Sequence, residues 1–399
     1  MSTEPRPALF TAAFLRVWLI AFAAGAAGFL LFPTVPFRMR ELGAPAEGVG
    51  LFLTALTFGS AVSAAWTGAL GDRLGRRRVL TVAGLGLAGL TALYAVLPSW
   101  WLLTLLGLVH GLVWSSILTG GSAEAARVVP ERRRAEGIAW HGMAMTLAVT
   151  VAPAIGFRLL ERGWTWLCGG MVGANLLVAA LARALPASPP PSPGWLRGLA
   201  THRTVEWRTL RSASVLFAVS FGYGGVTSFA ALLAEERSIE PKGIFFTAFA
   251  VSILVLRPAL GPMVDRLGAR RMIPPAIGFV VAGLALLPFQ DDAIGTAIAA
   301  LVFGAGFSTL YPAFSTLILA RIPAERHGAA FGAMLAAFDV GIGTGSFLFG
   351  PLVEHLGPVV AVLGGAAVAL AAWPLLILFE PDPAGARAAR RRGTVPPQS

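Results

Sequence analysis

Long unbroken apolar runs fill most of the chain, and short clusters of arginine, glycine and proline interrupt them. The runs are continuous, whereas an outer-membrane barrel would show short alternating segments. A helix crossing a bilayer needs about 20 apolar residues, and twelve such spans are predicted. Their approximate positions are 10–34, 47–71, 79–97, 100–127, 135–158, 164–185, 212–234, 243–264, 272–289, 293–320, 328–352 and 357–379. The first follows Arg6 and contains small residues like a signal peptide, but it is too long for a secretory core and eleven spans follow it.

Composition agrees with this pattern. Of 399 residues, 56% are hydrophobic and 13% charged, and mean hydropathy is +0.73. Soluble proteins carry about twice that share of charge, so a soluble enzyme, a nucleic-acid-binding domain and a disordered chain are excluded. A lone cysteine, Cys168, excludes a disulfide framework or a cysteine-rich metal site. It reads as a small packing residue.

The +11 net charge invites a nucleic-acid reading until its distribution is examined. With the N-terminus placed in the cytoplasm, 23 basic residues fall on inner segments and six on outer loops. Such a bias predicts that both termini are cytoplasmic and that the arginines set topology and meet anionic lipid headgroups. Domain organisation follows. Residues 1–185 form one six-helix half, 186–211 a cytoplasmic linker rich in proline and arginine, 212–380 a second half, and 381–399 a disordered tail.

An internal repeat relates the two halves. Residues 68–78 (GALGDRLGRRR) and 261–271 (GPMVDRLGARR) match at seven of eleven positions under a shift of 193. The same ungapped register pairs Gly111 with Gly304, Ser115 with Ser308, Ser122 with Ser315, Pro130 with Pro323 and Arg133 with Arg326. Six spans per half give both copies one orientation, so they are related by an axis along the membrane normal, as in a known transporter architecture.

The G-x-L-x-D-R-x-G-R-R segment after span two closely resembles motif A of the major facilitator superfamily, and its weaker copy follows span eight. Arg257-Pro258 ahead of Gly261, and Phe338-Asp339-Val340-Gly341, resemble small-molecule and sugar efflux members. The resemblance implies an all-α membrane protein of twelve transmembrane helices in two six-helix bundles. It also implies that Gly68, Asp72, Arg73, Gly75 and Arg77 latch the halves in the outward-open state, with Gly261, Asp265, Arg266 and Gly268 as the second copy. An alternative is an arginine loop that only sets topology. Some relatives complete a charge relay with an acid at the end of span four; here Arg127 stands there and Glu124 lies one turn earlier.

Charges inside spans are costly and usually face a cavity or a partner. Arg257 reads as an anchor for an anionic or polar substrate group, and Asp339 as a proton-titrating carboxylate; equally, they read as a buried structural pair. His110 and His141 are the other titratable candidates, each also readable as a hydrogen-bonded packing residue. Gly107 and His110-Gly111 leave motif B incomplete, while Ala152-Pro153-Ala154-Ile155-Gly156 is similar to the end of the antiporter motif C. Spans one, four, seven and ten line the cavity in the family, which brings in Trp114, Phe221, Tyr223, Phe307 and Tyr311, with packing as the competing role. Gly84-x-Gly86-x-x-Gly89 formally matches a dinucleotide fingerprint, but no strand precedes it.

No His/Cys/carboxylate cluster recurs at metal-ligand or triad spacing and no nucleotide-binding motif is present, so neither an enzyme nor a cofactor is expected. The reading is a monomeric secondary transporter of the bacterial cytoplasmic membrane, exporting a small organic solute in exchange for protons by alternating access. Proton-coupled uptake of a polar or anionic metabolite is the second reading, and a transport-inactive sensor or scaffold the third.

Overall fold

The computed structural model describes residues 8–186, 207–322 and 327–379; the expected linker and tail fall largely outside them. In a lipid interior every backbone polar group must be satisfied within its own segment, which makes continuous apolar runs helical. The helices are α1 (Ala12–Leu31), α2 (Val35–Glu41), α3 (Ala46–Val49), α4 (Leu51–Leu74), α5 (Arg76–Tyr94), α6 (Trp100–Val128), α7 (Arg134–Glu161), α8 (Trp164–Arg183), α9 (Trp207–Glu236), α10 (Ile244–Leu267), α11 (Ala269–Leu286), α12 (Ala293–Leu319), α13 (His327–Leu370) and α14 (Ala372–Phe379). Gly357, at φ 82°, breaks α13 into two spans. With that break counted, the long helices among the described residues run up and down twelve times.

Local chemistry fixes several ends. The Thr11 hydroxyl accepts from the Phe14 amide to start α1, and the Asp292 carboxylate accepts from the Gly295 amide at 2.6 Å to start α12. Arg16 reaches from α1 to the Ala184 carbonyl at 2.9 Å, placing a cation at the C-terminal end of α8.

The duplication seen in sequence is present in three dimensions. Gly75 joins α4 to α5 as a one-residue turn at φ 88°, and Gly268, 193 positions on, joins α10 to α11 at φ 88°. Only glycine adopts this conformation without strain. Gly111 of α6 lies against the Leu56 carbonyl of α4, and Gly304 of α12 lies against the Phe249 carbonyl of α10. The same shift relates both members of the two contacts.

Packing follows one plan twice. In the N-terminal half α1 packs on α7 and α4 on α6; in the C-terminal half α9 packs on α13 and α10 on α12. Between the halves, α4 meets α13 and α7 meets α10. A six-span shift exchanges these two interfaces, as a two-fold axis between the bundles requires. The shift also maps the approach of Gly343 to Thr57 onto the hydrogen bond from Thr150 to the Ala250 carbonyl. The one-residue turns lie on the face called basic below, and the opposite face is called far.

Candidate functional site

The two interbundle interfaces form the site, because residues from both halves meet there at mid-depth. Arg257 lies 13 residues into α10, about 20 Å along it. It shares a helix face with Ala250, on the side that meets α7. Its Nη1 donates to the Thr146 hydroxyl of α7 at 2.8 Å. That hydroxyl in turn donates to the Gly142 carbonyl at 3.2 Å. One proton and two lone pairs suffice for both bonds, so Thr146 holds the guanidinium without neutralising it. Among the described residues Arg257 has no carboxylate partner.

Asp339 occupies the corresponding place at the other interface. Subtracting 193 from 339 gives 146, so Asp339 of α13 and Thr146 of α7 are counterparts. Ser60 of α4 and Tyr311 of α12 face the Asp339 side chain. Asp339 is 9% exposed, its Oδ2 is buried without a hydrogen-bond partner, and it forms no ion pair among the described residues. Arg257 and Asp339 do not form the structural pair that sequence left open. They carry opposite charges at two-fold-related interfaces.

From mid-depth to the far face the bundles are bonded together. Thr54 donates to the Gly343 carbonyl at 2.9 Å, and Ser346 donates to the Gly50 carbonyl at 2.8 Å. Ser228 of α9 joins that chain through Ser346 at 2.6 Å. Gly50 itself lies against the Ser346 carbonyl, and Gly350 against the backbone of Ala46 and Glu47. Ion pairs continue the closure at the surface: Arg40 with Glu235 at 3.5 Å and His355 with Glu47 at 3.5 Å. Exposed pairs of this kind contribute little, about 0–1 kcal/mol each. The close backbone contacts are the substance of the seal.

The remaining candidates sit elsewhere. His110 is buried inside the N-terminal bundle, where Nδ1 lies 3.0 Å from the Tyr94 hydroxyl and the rings stack at 5.9 Å. His141 is half-buried on α7 with its Nδ1 lacking a partner. Glu124 is buried and takes a two-pronged ion pair from Arg127 of its own helix, with distances of 2.9 and 2.5 Å. Arg76, across the one-residue turn, donates to the neighbouring Ala123 carbonyl at 3.2 Å. Trp114 packs against Gly28 and Phe32, Phe221 against Phe349, and Tyr223 against Phe249, Phe303 and Phe307, each within its own bundle. Phe307 and Tyr311 are half-exposed and contact Phe338 at 6.0 and 5.5 Å, beside Asp339.

Gly75, Arg77, Arg266 and Gly268 stand at or beside the one-residue turns. The side chains of Asp72, Arg73 and Asp265 and the surroundings of Gly68 and Gly261 fall outside the described part, although their backbones belong to α4 and α10. Sequence reasoning missed Thr146, Ser60, Ser346 and Tyr94. A stripe at helical spacing, Thr54, Thr57 and Ser60, was available to mark the interbundle face of α4.

Comparison with known proteins agrees with this architecture. The Major Facilitator Superfamily model matches residues 17–240 and 213–398. The uncharacterized MFS-type transporter YhhS of Escherichia coli K12 is 25% identical over 348 residues, covering 83% of each chain. The uncharacterized MFS-type transporter STM4428 of Salmonella typhimurium is 26% identical over 333 residues, covering 82% of this chain and 84% of its own. Among solved structures, a D-xylose-proton symporter superposes with a TM-score of 0.74 at 16% identity, covering 92% of this chain and 97% of that one. The human organic anion transporter MFSD10 superposes at 0.66 with 17% identity, covering 92% and 99%. With the family model matching nearly the whole length and the duplicated twelve-span fold in place, the chain belongs to the major facilitator superfamily and is an integral membrane transporter rather than an enzyme.

Proposed function

We propose that the protein exports a small organic solute in exchange for protons, as a monomer, by rocking its two six-helix bundles about the axis between them. The basic face is cytoplasmic in this reading, supported by the 23-to-six split of basic residues. The far-face seal of α4 against α13 and α7 against α10 is then the closed external gate. Opening outward separates those contacts, and the motif-A turns at Gly75 and Gly268 latch the opposite face.

Asp339 carries the proposal. It is a buried carboxylate at an interbundle interface with no cation beside it among the described residues. Such a charge is expensive at membrane depth, and binding a proton removes it. A group of this kind changes protonation whenever the interface around it opens to one side or the other, which is what coupling requires. The motif-C-like segment of α7 supports export: Pro153 is buried, and Gly156 lies against the Leu30 backbone of α1.

The test is reconstitution into proteoliposomes that enclose a pH-sensitive dye, with candidate solutes added under an imposed pH gradient. Solute-dependent proton movement by the wild type, lost in Asp339→Asn, is the expected result. Proton movement that no solute alters, or that survives intact in Asp339→Asn, refutes the coupling.

A further inference from the structure

Arg257 is a charge at mid-depth whose described surroundings do not neutralise it. Its one bond, to Thr146, is to a neutral hydroxyl that already spends its own proton on Gly142. A guanidinium presents five N–H donors in a planar fork suited to two oxygens of a carboxylate, sulfonate or phosphate. One donor is taken, and Thr146 fixes the plane of the fork. Phe249, eight residues or about 12 Å along α10 from Arg257, contacts Phe307 of α12 at 5.7 Å, and Phe307 contacts Phe338 of α13 at 6.0 Å. The half-exposed rings of Phe307, Phe338 and Tyr311 therefore run between the helix that carries Arg257 and the helix that carries Asp339. A cation at one interface, with aromatic rings further along the same helix, suits a ligand with one anionic end and an apolar body.

We infer that the transported solute is an amphipathic organic anion whose acidic group binds Arg257 and whose apolar part lies on the Phe307, Tyr311 and Phe338 rings. The inference rests on the transporter reading and names its substrate class. It also gives the antisymmetry of the two interfaces a use. In the exchange the carrier turns outward with the anion on Arg257 and returns with a proton on Asp339, so the two interfaces are loaded in turn and not together.

Binding of 1-naphthoate and of its neutral isostere 1-naphthamide is measured by thermal shift and tryptophan fluorescence on the full-length protein in detergent. Saturable stabilisation of the wild type by naphthoate and none by naphthamide is expected. Arg257→Gln should weaken naphthoate at least about tenfold, since it leaves the anion without its counter-charge. Thr146→Ala, which keeps the charge but frees the fork, should weaken it less. Should Arg257→Gln fail to fold, Arg257→Lys serves, with an intermediate loss expected because lysine lacks the planar fork. Equal response to both probes, no response to either, or naphthoate affinity unchanged in the Arg257 variants overturns the inference. Asp339→Asn should retain naphthoate binding. A wild-type protein that binds naphthoate but shows no solute-driven proton movement defeats only the transport mechanism, and solute-driven proton movement without anion preference defeats only the substrate class.

Discussion

Thr146 stands in α7 where Asp339 stands in α13, and Arg257 binds the first of these while the second has no cation. One ancestral position has thus become a neutral acceptor in one half and an acid in the other. The two interfaces share a backbone plan and differ in charge.

From that difference follows the behaviour of Asp339→Asn. An asparagine of the same shape removes a buried unpaired charge, so the variant should fold and melt at the wild-type temperature or up to about 2–4 °C above it. Thermal unfolding in detergent measures this. A large fall in Tm would identify Asp339 as a structural acceptor and remove it from the coupling scheme.

The seal on the far face yields a second expectation. Gly50 lies against the Ser346 carbonyl, so Gly50→Val has no room while the gate is closed. Spin labels at Glu41 and Glu354, both exposed, should report a shift toward longer distances in that variant. An unchanged distance distribution would mean that the seal repacks instead of opening.

The Tyr94–His110 contact is expected to matter for stability rather than coupling. Tyr94→Phe removes the hydroxyl facing a buried imidazole and should cost about 1–3 kcal/mol, read as a lower Tm. The pH dependence of solute-driven proton movement should stay as in the wild type. A displaced pH profile would return His110 to the list of coupling groups.

Gly75→Ala and Gly268→Ala form a matched pair. Both positions have φ 88°, and at Gly268 an added Cβ would meet no neighbour. The backbone cost, of a positive φ with an extended ψ (124° at Gly75 and 137° at Gly268), is about 1–3 kcal/mol in each case. Near-equal falls in Tm are expected, and strongly unequal ones would show that the two turns are not mechanical equivalents.

Much of the fold was legible because a bilayer imposes a simple code. An apolar run long enough to cross must be helical, and a 193-residue register without gaps brings the second half with it. The short helices α2 and α3 were not legible. They are too short to show an apolar run of their own, and Pro36 sits in the first turn of α2, where a missing N–H costs nothing. Arg257 and Asp339 stood out because charge inside an apolar span is rare. Their separation was not readable, since sequence places each at mid-depth without saying which interface it faces. Thr146 was hidden for a different reason. A helical threonine routinely bonds its own helix four residues back, and nothing in the sequence tells that its remaining lone pair accepts from another bundle.

A turn of one residue leaves a helical hairpin no slack. With Gly75 as the whole connection, α4 cannot tilt at the interbundle seam without dragging α5, and Gly268 ties α11 to α10 in the same way. The second arm of each hairpin packs on other helices of its bundle, α5 on α8 and α11 on α12, so a displacement at the seam is passed on into the rest of that bundle.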